Sequence, residues 1–88
     1  MLFEWDGEKA EANLKKHGIS FDDAMLVFAD EYRKEFYDAA HSIYEDRYHT
    51  IGMVDRLLFV VYTERGERTR IISARLANRH EKRIYYDY

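Results

Sequence analysis

Residues 57–64, Leu-Leu-Phe-Val-Val-Tyr-Thr-Glu, constrain the fold of this chain more than any other segment. They are β-branched, aromatic and apolar at both alternating sets of positions, so they read as a strand covered on both faces. Only Arg65-Gly66-Glu67 separates this run from a second one, Arg68 to Ala74 (RTRIISA). A connection that short makes a hairpin, whereas a parallel crossover needs about a dozen residues or more. The two runs are therefore antiparallel neighbours. Upstream, Tyr44 to Met53 alternates large and polar residues, with Gly52 beginning a turn, and residues 33–38 read as a polar, edge-like strand.

The N-terminal part carries helix signals instead. Leu2-Phe3-Glu4-Trp5 is a short strand, after which Asp6 caps a helix through its side-chain oxygen, with Glu8 favourable in the first turn. Ala10, Ala12 and Leu14 favour helix, Lys15, Lys16 and His17 suit its C-terminus, and Gly18 ends it in the left-handed conformation. Ser20 opens a second helix, with Asp23 in the capping position three residues on. Phe21, Ala24, Met25 and Phe28 form one apolar stripe, and the helix ends near Asp30. Ser73 or Ala74 leads into a last helix over about 75–86, with Leu76, Ala77, Ile84 and Tyr85 as inward contacts. The order β-α-α-β-β-β-α gives an α+β class: a small, mostly antiparallel sheet flanked by two N-terminal helices and one C-terminal helix.

At 88 residues the chain is expected to be a single domain, 1–88, with no second core. A domain of this size buries only about 60–65% of its unfolded surface, so its eight Tyr, five Phe and one Trp must supply much of the core. The absence of Cys excludes disulfides, thiolate metal sites and Cys nucleophiles, and fits a reducing cytoplasm. No apolar run reaches the ~18–20 residues of a membrane span, and the N-terminus shows no secretory signal. The expected location is cytoplasmic, with no membrane association.

The net charge of −3 argues by itself against nucleic acid, but it is unevenly spread. Residues 1–46 hold 5 Lys/Arg and 12 Asp/Glu, and residues 47–88 hold 9 and 5. Within 65–83 there are 7 basic residues against 2 acidic ones. An acidic total conceals a basic C-terminal segment.

Four stretches then stand out together. They are Phe3-Glu4-Trp5-Asp6 with Lys9 and Asn13; Lys16-His17-Gly18-Ile19-Ser20-Phe21; His41-Ser42 with Glu45, Arg47 and Ile51-Gly52; and Val61 to Gly66 followed by Arg70-Ile71-Ile72-Ser73-Ala74-Arg75, Glu81 and Tyr85. This ordered set resembles the BrnT family of toxins from type II toxin–antitoxin modules, over nearly the whole chain. The resemblance implies a bacterial ribonuclease that slows growth by cutting RNA, on a RelE-like fold. It implies a BrnA-like antitoxin, a dimeric DNA-binding protein that inhibits the toxin and represses the operon with it, in a 2+2 heterotetramer. DNA would be met only through that antitoxin. The chain departs from such toxins, which are often basic, in its negative net charge.

Metal-independent RNA cleavage needs a base for the 2′-OH, an acid for the leaving 5′-oxygen and a cation for the charge developing on the phosphate. Arg suits the last role. Strand alternation points Glu45, Arg47 and His49 one way. It puts Thr63 and Arg65 on one face with Glu64 on the other, and Ser73 and Arg75 on one face with Arg70 opposite. One sheet face can thus gather Glu45, Arg47, Arg65 and Arg75, with His41 at its mouth. His41, Glu45, Arg47, Glu64, Arg65 and Arg75 are the candidate catalytic residues, and Lys16, His17, Arg70, Arg79, Arg83 and Tyr85 the candidate RNA contacts.

Each has a plainer reading. His41 can be a surface or capping histidine beside Ser42. Glu45 and Arg47 can form a cross-strand ion pair, and Glu64-Arg65-Gly66 can be a charged hairpin tip. Arg75 can simply pair with Glu81. Arg79 and Arg83, four apart, can be a solvated helix face, also shared with the antitoxin. Lys16 and His17 suit a helix C-terminus, and Tyr85, Tyr86 and Tyr88 form an aromatic tail that packs or stacks on bases. No HExxH, GxGxxG or P-loop pattern is present, so no metal or cofactor is expected. The alternative function is a non-catalytic nucleic-acid-binding or antitoxin-binding regulatory module.

Overall fold

In the computed structural model, which describes residues 1–87, the run that dominates the sequence becomes the middle strand of a five-stranded sheet. The order of elements is β1 (Leu2–Glu4), α1 (Gly7–His17), α2 (Phe21–Leu26), β2 (Lys34–Tyr37), β3 (Arg47–Val54), β4 (Arg56–Arg65), β5 (Arg68–Leu76) and α3 (Arg79–Tyr86). Single 3₁₀ turns follow α2 (Val27–Ala29) and β2 (Ala39–His41). The sheet order is β1-β5-β4-β3-β2; β1 runs parallel to β5 and every other pairing is antiparallel. The expected α+β class stands, with residues 34–37 adding a paired edge strand. Tyr88 of the aromatic tail lies outside the described residues. Among those residues no helix is long and apolar enough to cross a membrane.

The local signals explain the helices. Asp6 accepts from the Glu8 and Lys9 amides, Gly18 closes α1 at φ 71°, and Ser20 accepts from the Asp23 amide. α1 is also tied to the sheet by Asn13, which is buried. Its side-chain amide donates to Ile19 O and Ala74 O (3.0 and 2.8 Å) and accepts from Ala74 N at 3.1 Å. β1 pairs β5 only at Arg68–Arg70, so Asn13 satisfies backbone groups of β5 that this short strand leaves open.

Alternation along β4 then builds two layers. Leu58 and Val60 face α1 and α2 and pack with Ile19, Phe21, Ala24, Val27, Ile71 and Ala74. On the other face Leu57 and Phe59 pack with Ile51, Ala77, Ile84 and Tyr85, so α3 covers only that end of it.

Three local expectations are corrected. Gly52 is not a turn residue. It lies within β3, and a Cβ there would stand 2.5 Å from Val27 Cγ1, so its missing side chain lets the 3₁₀ turn sit against the strand. The reversal falls at Asp55, whose φ of 60° suits a short polar side chain. α3 begins at Arg79, not near 75: β5 continues to Leu76, and Asn78 and Glu81 form a reciprocal capping box. Leu76 is consequently exposed. Finally, Ser73 pairs with Val61 but Ile71 with Tyr62, so Ile72 is an extra residue, a β-bulge. The bulge turns Arg70 onto the same face as Arg75, opposite to the side that uninterrupted alternation gives.

Candidate active site and nucleic-acid interface

The face of the sheet away from α1 and α2 collects the chemistry. Register puts Arg47 and His49 of β3, Thr63 and Arg65 of β4, and Arg68, Arg70, Ser73 and Arg75 of β5 on that one side. Five arginines thus share a face that α3 covers only at one end. Three glutamates hold four of them. Glu45 meets Arg65 at 3.2 Å, Glu4 meets Arg70 at 2.7 Å and Arg68 at 3.9 Å, and Glu81 meets Arg75. Of the five, only Arg47 has no ion-pair partner among the described residues. The expected cross-strand pairing of Glu45 with Arg47 is not formed: Glu45 precedes β3 and reaches Arg65 instead.

Arg75 is the most firmly held. Both its terminal nitrogens donate to Glu81 (2.7 and 2.8 Å), one also to Leu76 O, and its guanidinium lies 4.2 Å from the Phe59 ring centroid. Their spacing of six does not prevent the pairing, because Arg75 belongs to the strand and Glu81 to the helix. The Glu81 hydrogen bonds raise the Arg75 pKa. Burial pushes the Glu81 carboxyl up, but Arg75 and the Asn78 amide outweigh this and hold it below its ordinary value.

Phe59 also contacts His49, ring to ring at 4.7 Å, and through His49 the row continues to the loop before β3. His49 Nε2 lies 2.8 Å from Asp38 Oδ2, and His41 Nδ1 lies 2.9 Å from the same oxygen. Asp38 is only 8% exposed. Burial raises its pKa, but the hydrogen bonds from His49 and His41 lower it further, below the usual aspartate value. An ionised carboxylate only accepts, so both imidazole nitrogens facing it carry a proton. The His41 ring, 69% exposed, then leaves Nε2 to solvent. The loop itself is clamped at its base. Asp38 N donates to Arg47 O, the Ser42 hydroxyl donates to Asp38 O and accepts from Arg47 N, and the Thr63 hydroxyl donates to Asp46 O.

The structure therefore brings His41, Glu45, Arg47, Arg65 and Arg75 to one side, and the bulge adds Arg70. It does not bring Glu64 there. Glu64 is on the helix face, accepting from the Thr69 hydroxyl. Lys16 and His17 end α1, which packs on β5 on that same helix side. Arg79 and Arg83 are exposed on α3, away from the inward Glu81 and Ile84. Tyr85 is turned inward, its hydroxyl donating to Asp30 Oδ2 at 2.6 Å. Sequence reasoning missed Asp38 altogether and left His49 without a role. The signal for Asp38 was its capping distance from His41; the signal for His49 was its place two residues beyond Arg47.

Such a face offers fixed positive charge beside an imidazole with one free nitrogen, which suits a polyanion with a proton to exchange. Among the described residues no group of three or more His, Asp or Glu is arranged to hold a metal ion. The family model described as ribonuclease toxin, BrnT, of type II toxin–antitoxin system matches residues 5–81. No curated protein matches the chain. The match begins just after β1 and covers β2 to β5, both N-terminal helices and the start of α3, and the chain belongs to the BrnT family of ribonuclease toxins of type II toxin–antitoxin systems.

Proposed function

We propose that this toxin is a RelE-like endoribonuclease that cuts RNA by metal-independent attack of a 2′-OH on the adjacent phosphorus. One observation carries the reading: Arg47, without a carboxylate partner among the described residues, lies on the open sheet face with His49, whose imidazole shares Asp38 Oδ2 with that of His41. A base removes the 2′-OH proton as the oxygen attacks, the bond from phosphorus to the 5′-oxygen breaks, and an acid protonates the leaving oxygen. The products are a 2′,3′-cyclic phosphate and a 5′-hydroxyl. His41 and Glu45 are assigned the proton transfers. Arg47 holds the phosphate, assisted by Arg65 and Arg75, whose carboxylate partners keep them in place. Arg70 extends the phosphate path along β5, and Arg79 and Arg83 continue it on α3.

A cytoplasmic BrnA-like antitoxin would silence this activity by covering the same face, in a two-plus-two assembly that meets DNA only through the antitoxin. A domain this small has little surface to divide between substrate and inhibitor. The purified chain, incubated with RNA in EDTA, is expected to yield 2′,3′-cyclic phosphate ends. Cleavage lost in EDTA would overturn the metal-independent mechanism. Salt-dependent RNA binding without product would favour a non-catalytic regulatory module.

A further inference from the structure

We propose that Asp38 is a positioning residue of the cleavage reaction: one buried carboxylate oxygen fixes His41 as the Nδ1–H tautomer and so turns Nε2 toward the RNA. The inference rests on the reading of His41 as a proton-transfer group.

Capping alone does not account for the geometry. Asp38 Oδ1 accepts from the His41 backbone amide at 3.3 Å, which is all that the 3₁₀ turn Ala39–His41 asks of it. The second oxygen, Oδ2, serves neither turn nor strand; it receives two imidazoles, from His41 at 2.9 Å and His49 at 2.8 Å. A buried carboxylate is costly unless its lone pairs are met, and here they are met by side chains of the open face. The arrangement is also rigid. Asp38 is tied through its own amide to Arg47 O, and its carbonyl is tied to Ser42, which in turn holds Arg47 N. His49 is held between Asp38 and the Phe59 ring. Asp38 therefore sets the His41 ring in a fixed relation to Arg47, the proposed phosphate clamp.

An imidazole free in water favours no useful direction, and a fixed tautomer converts it into a directed proton acceptor. The consequence falls on the chemical step and not on RNA binding, because Asp38 lies beneath the histidines and is closed to the substrate.

The test compares Asp38→Asn, His41→Ala and the parent chain on an RNA oligonucleotide, with ¹⁵N NMR of the His41 ring at a pH where it is neutral. The parent is expected to show the Nδ1–H form. Asp38→Asn should lower kcat by about 100-fold, leave KM within about twofold, and shift His41 toward the Nε2–H form. A dominant Nε2–H form in the parent overturns the proposal, and that readout does not depend on a variant folding. So does an Asp38→Asn chain with parental kcat. If His41→Ala is as active as the parent, the role of His41 fails and this inference with it. If His41→Ala is inactive while Asp38→Asn is not, only the role of Asp38 fails.

Discussion

The two faces of this sheet are made by alternate residues of the same strands, yet they are stabilised in different ways. On the helix face Leu58, Val60, Ile71 and Ala74 are fully buried against α1, α2 and Val27, and each side chain needs only apolar neighbours of the right volume. At its helix-free end that face turns aromatic and acidic. Tyr37, Tyr48, Tyr62 and Phe28 follow one another at ring separations of 4.9–5.7 Å, and Tyr62 donates to Glu35. Burial and the nearby Asp46, Tyr37, Glu64 and Glu35 push the Tyr48 hydroxyl pKa up. The open face instead holds five arginines against three glutamates, with an imidazole pair on one aspartate. Its order comes from charges that satisfy one another at the surface, and what they leave unsatisfied is available to a ligand. Mixed charge of this kind explains how a chain of net charge −3 presents a basic surface.

The largest effects should separate the faces. Leu58→Ala is expected to cost about 3 kcal/mol of stability, as truncation at a fully buried site does, with the open-face chemistry unchanged in the folded fraction. Arg47→Ala should do the converse: about a 100-fold loss of RNA cleavage with a stability change below about 0.5 kcal/mol. Urea unfolding and oligonucleotide cleavage measured on both variants check this. A large stability loss in Arg47→Ala would break the comparison, because the open face would then be structural too.

Arg75 is where the comparison is closest to failing, and it gives the intermediate effect. Removing it leaves Glu81, which is buried, without its cation. Arg75→Ala should therefore destabilise by about 1–2 kcal/mol, less than a fully buried pair because Arg75 is partly in solvent. Glu81→Gln in the same chain should restore part of it. The sign with pH follows from the depressed Glu81 pKa. Its contribution is present above the ordinary glutamate value near pH 4 and is lost as pH falls through the lower folded value. Urea midpoints of the parent should fall across that acid window, and those of Glu81→Gln should fall less.

Much of the fold was legible because it is written locally. Asp6, Gly18 and Ser20 mark helix ends by their own hydrogen-bonding and backbone preferences, and Leu57–Glu64 can only be an inner strand. The site was legible as far as simple alternation carries, which put Arg47, Arg65 and Arg75 on one face. It failed where a tertiary contact overrides local pattern. The extra residue Ile72 moved Arg70 across the sheet, and nothing between Arg70 and Arg75 announces a bulge. Gly52 read as a turn because close approach by Val27 leaves no trace near it in sequence. Asp38 read as no more than the end of a polar edge strand because its partners are set by the pairing of β2 with β3, which brings His49 back to it from eleven residues away.

The smallest effect concerns how the open face is bounded. α3 is held at one end by Arg75 and at the other by the Tyr85 hydroxyl, which donates to Asp30 Oδ2. Asp30 also accepts from the Tyr32 and Met53 amides, so it stays satisfied when Tyr85 leaves. Tyr85→Phe should therefore cost only about 0.5–1.5 kcal/mol at neutral pH. Its signature lies in alkali. Burial and the Asp30 carboxylate push the Tyr85 pKa up to about 12, against about 10 for an exposed tyrosine. A raised folded pKa means that the contribution is complete below the unfolded value and is lost as pH rises through the folded one. In the parent, Tyr85 should ionise late by absorbance, in addition to Tyr48, whose pKa is also raised, and stability should fall between about pH 10 and 12 as α3 loses that anchor. Tyr85→Phe should lack both the late titration of Tyr85 and that step of the decline. Identical late titration in the parent and in Tyr85→Phe would mean that α3 is bounded by Arg75 and Glu81 alone, leaving the open face wider than the Tyr85 anchor makes it.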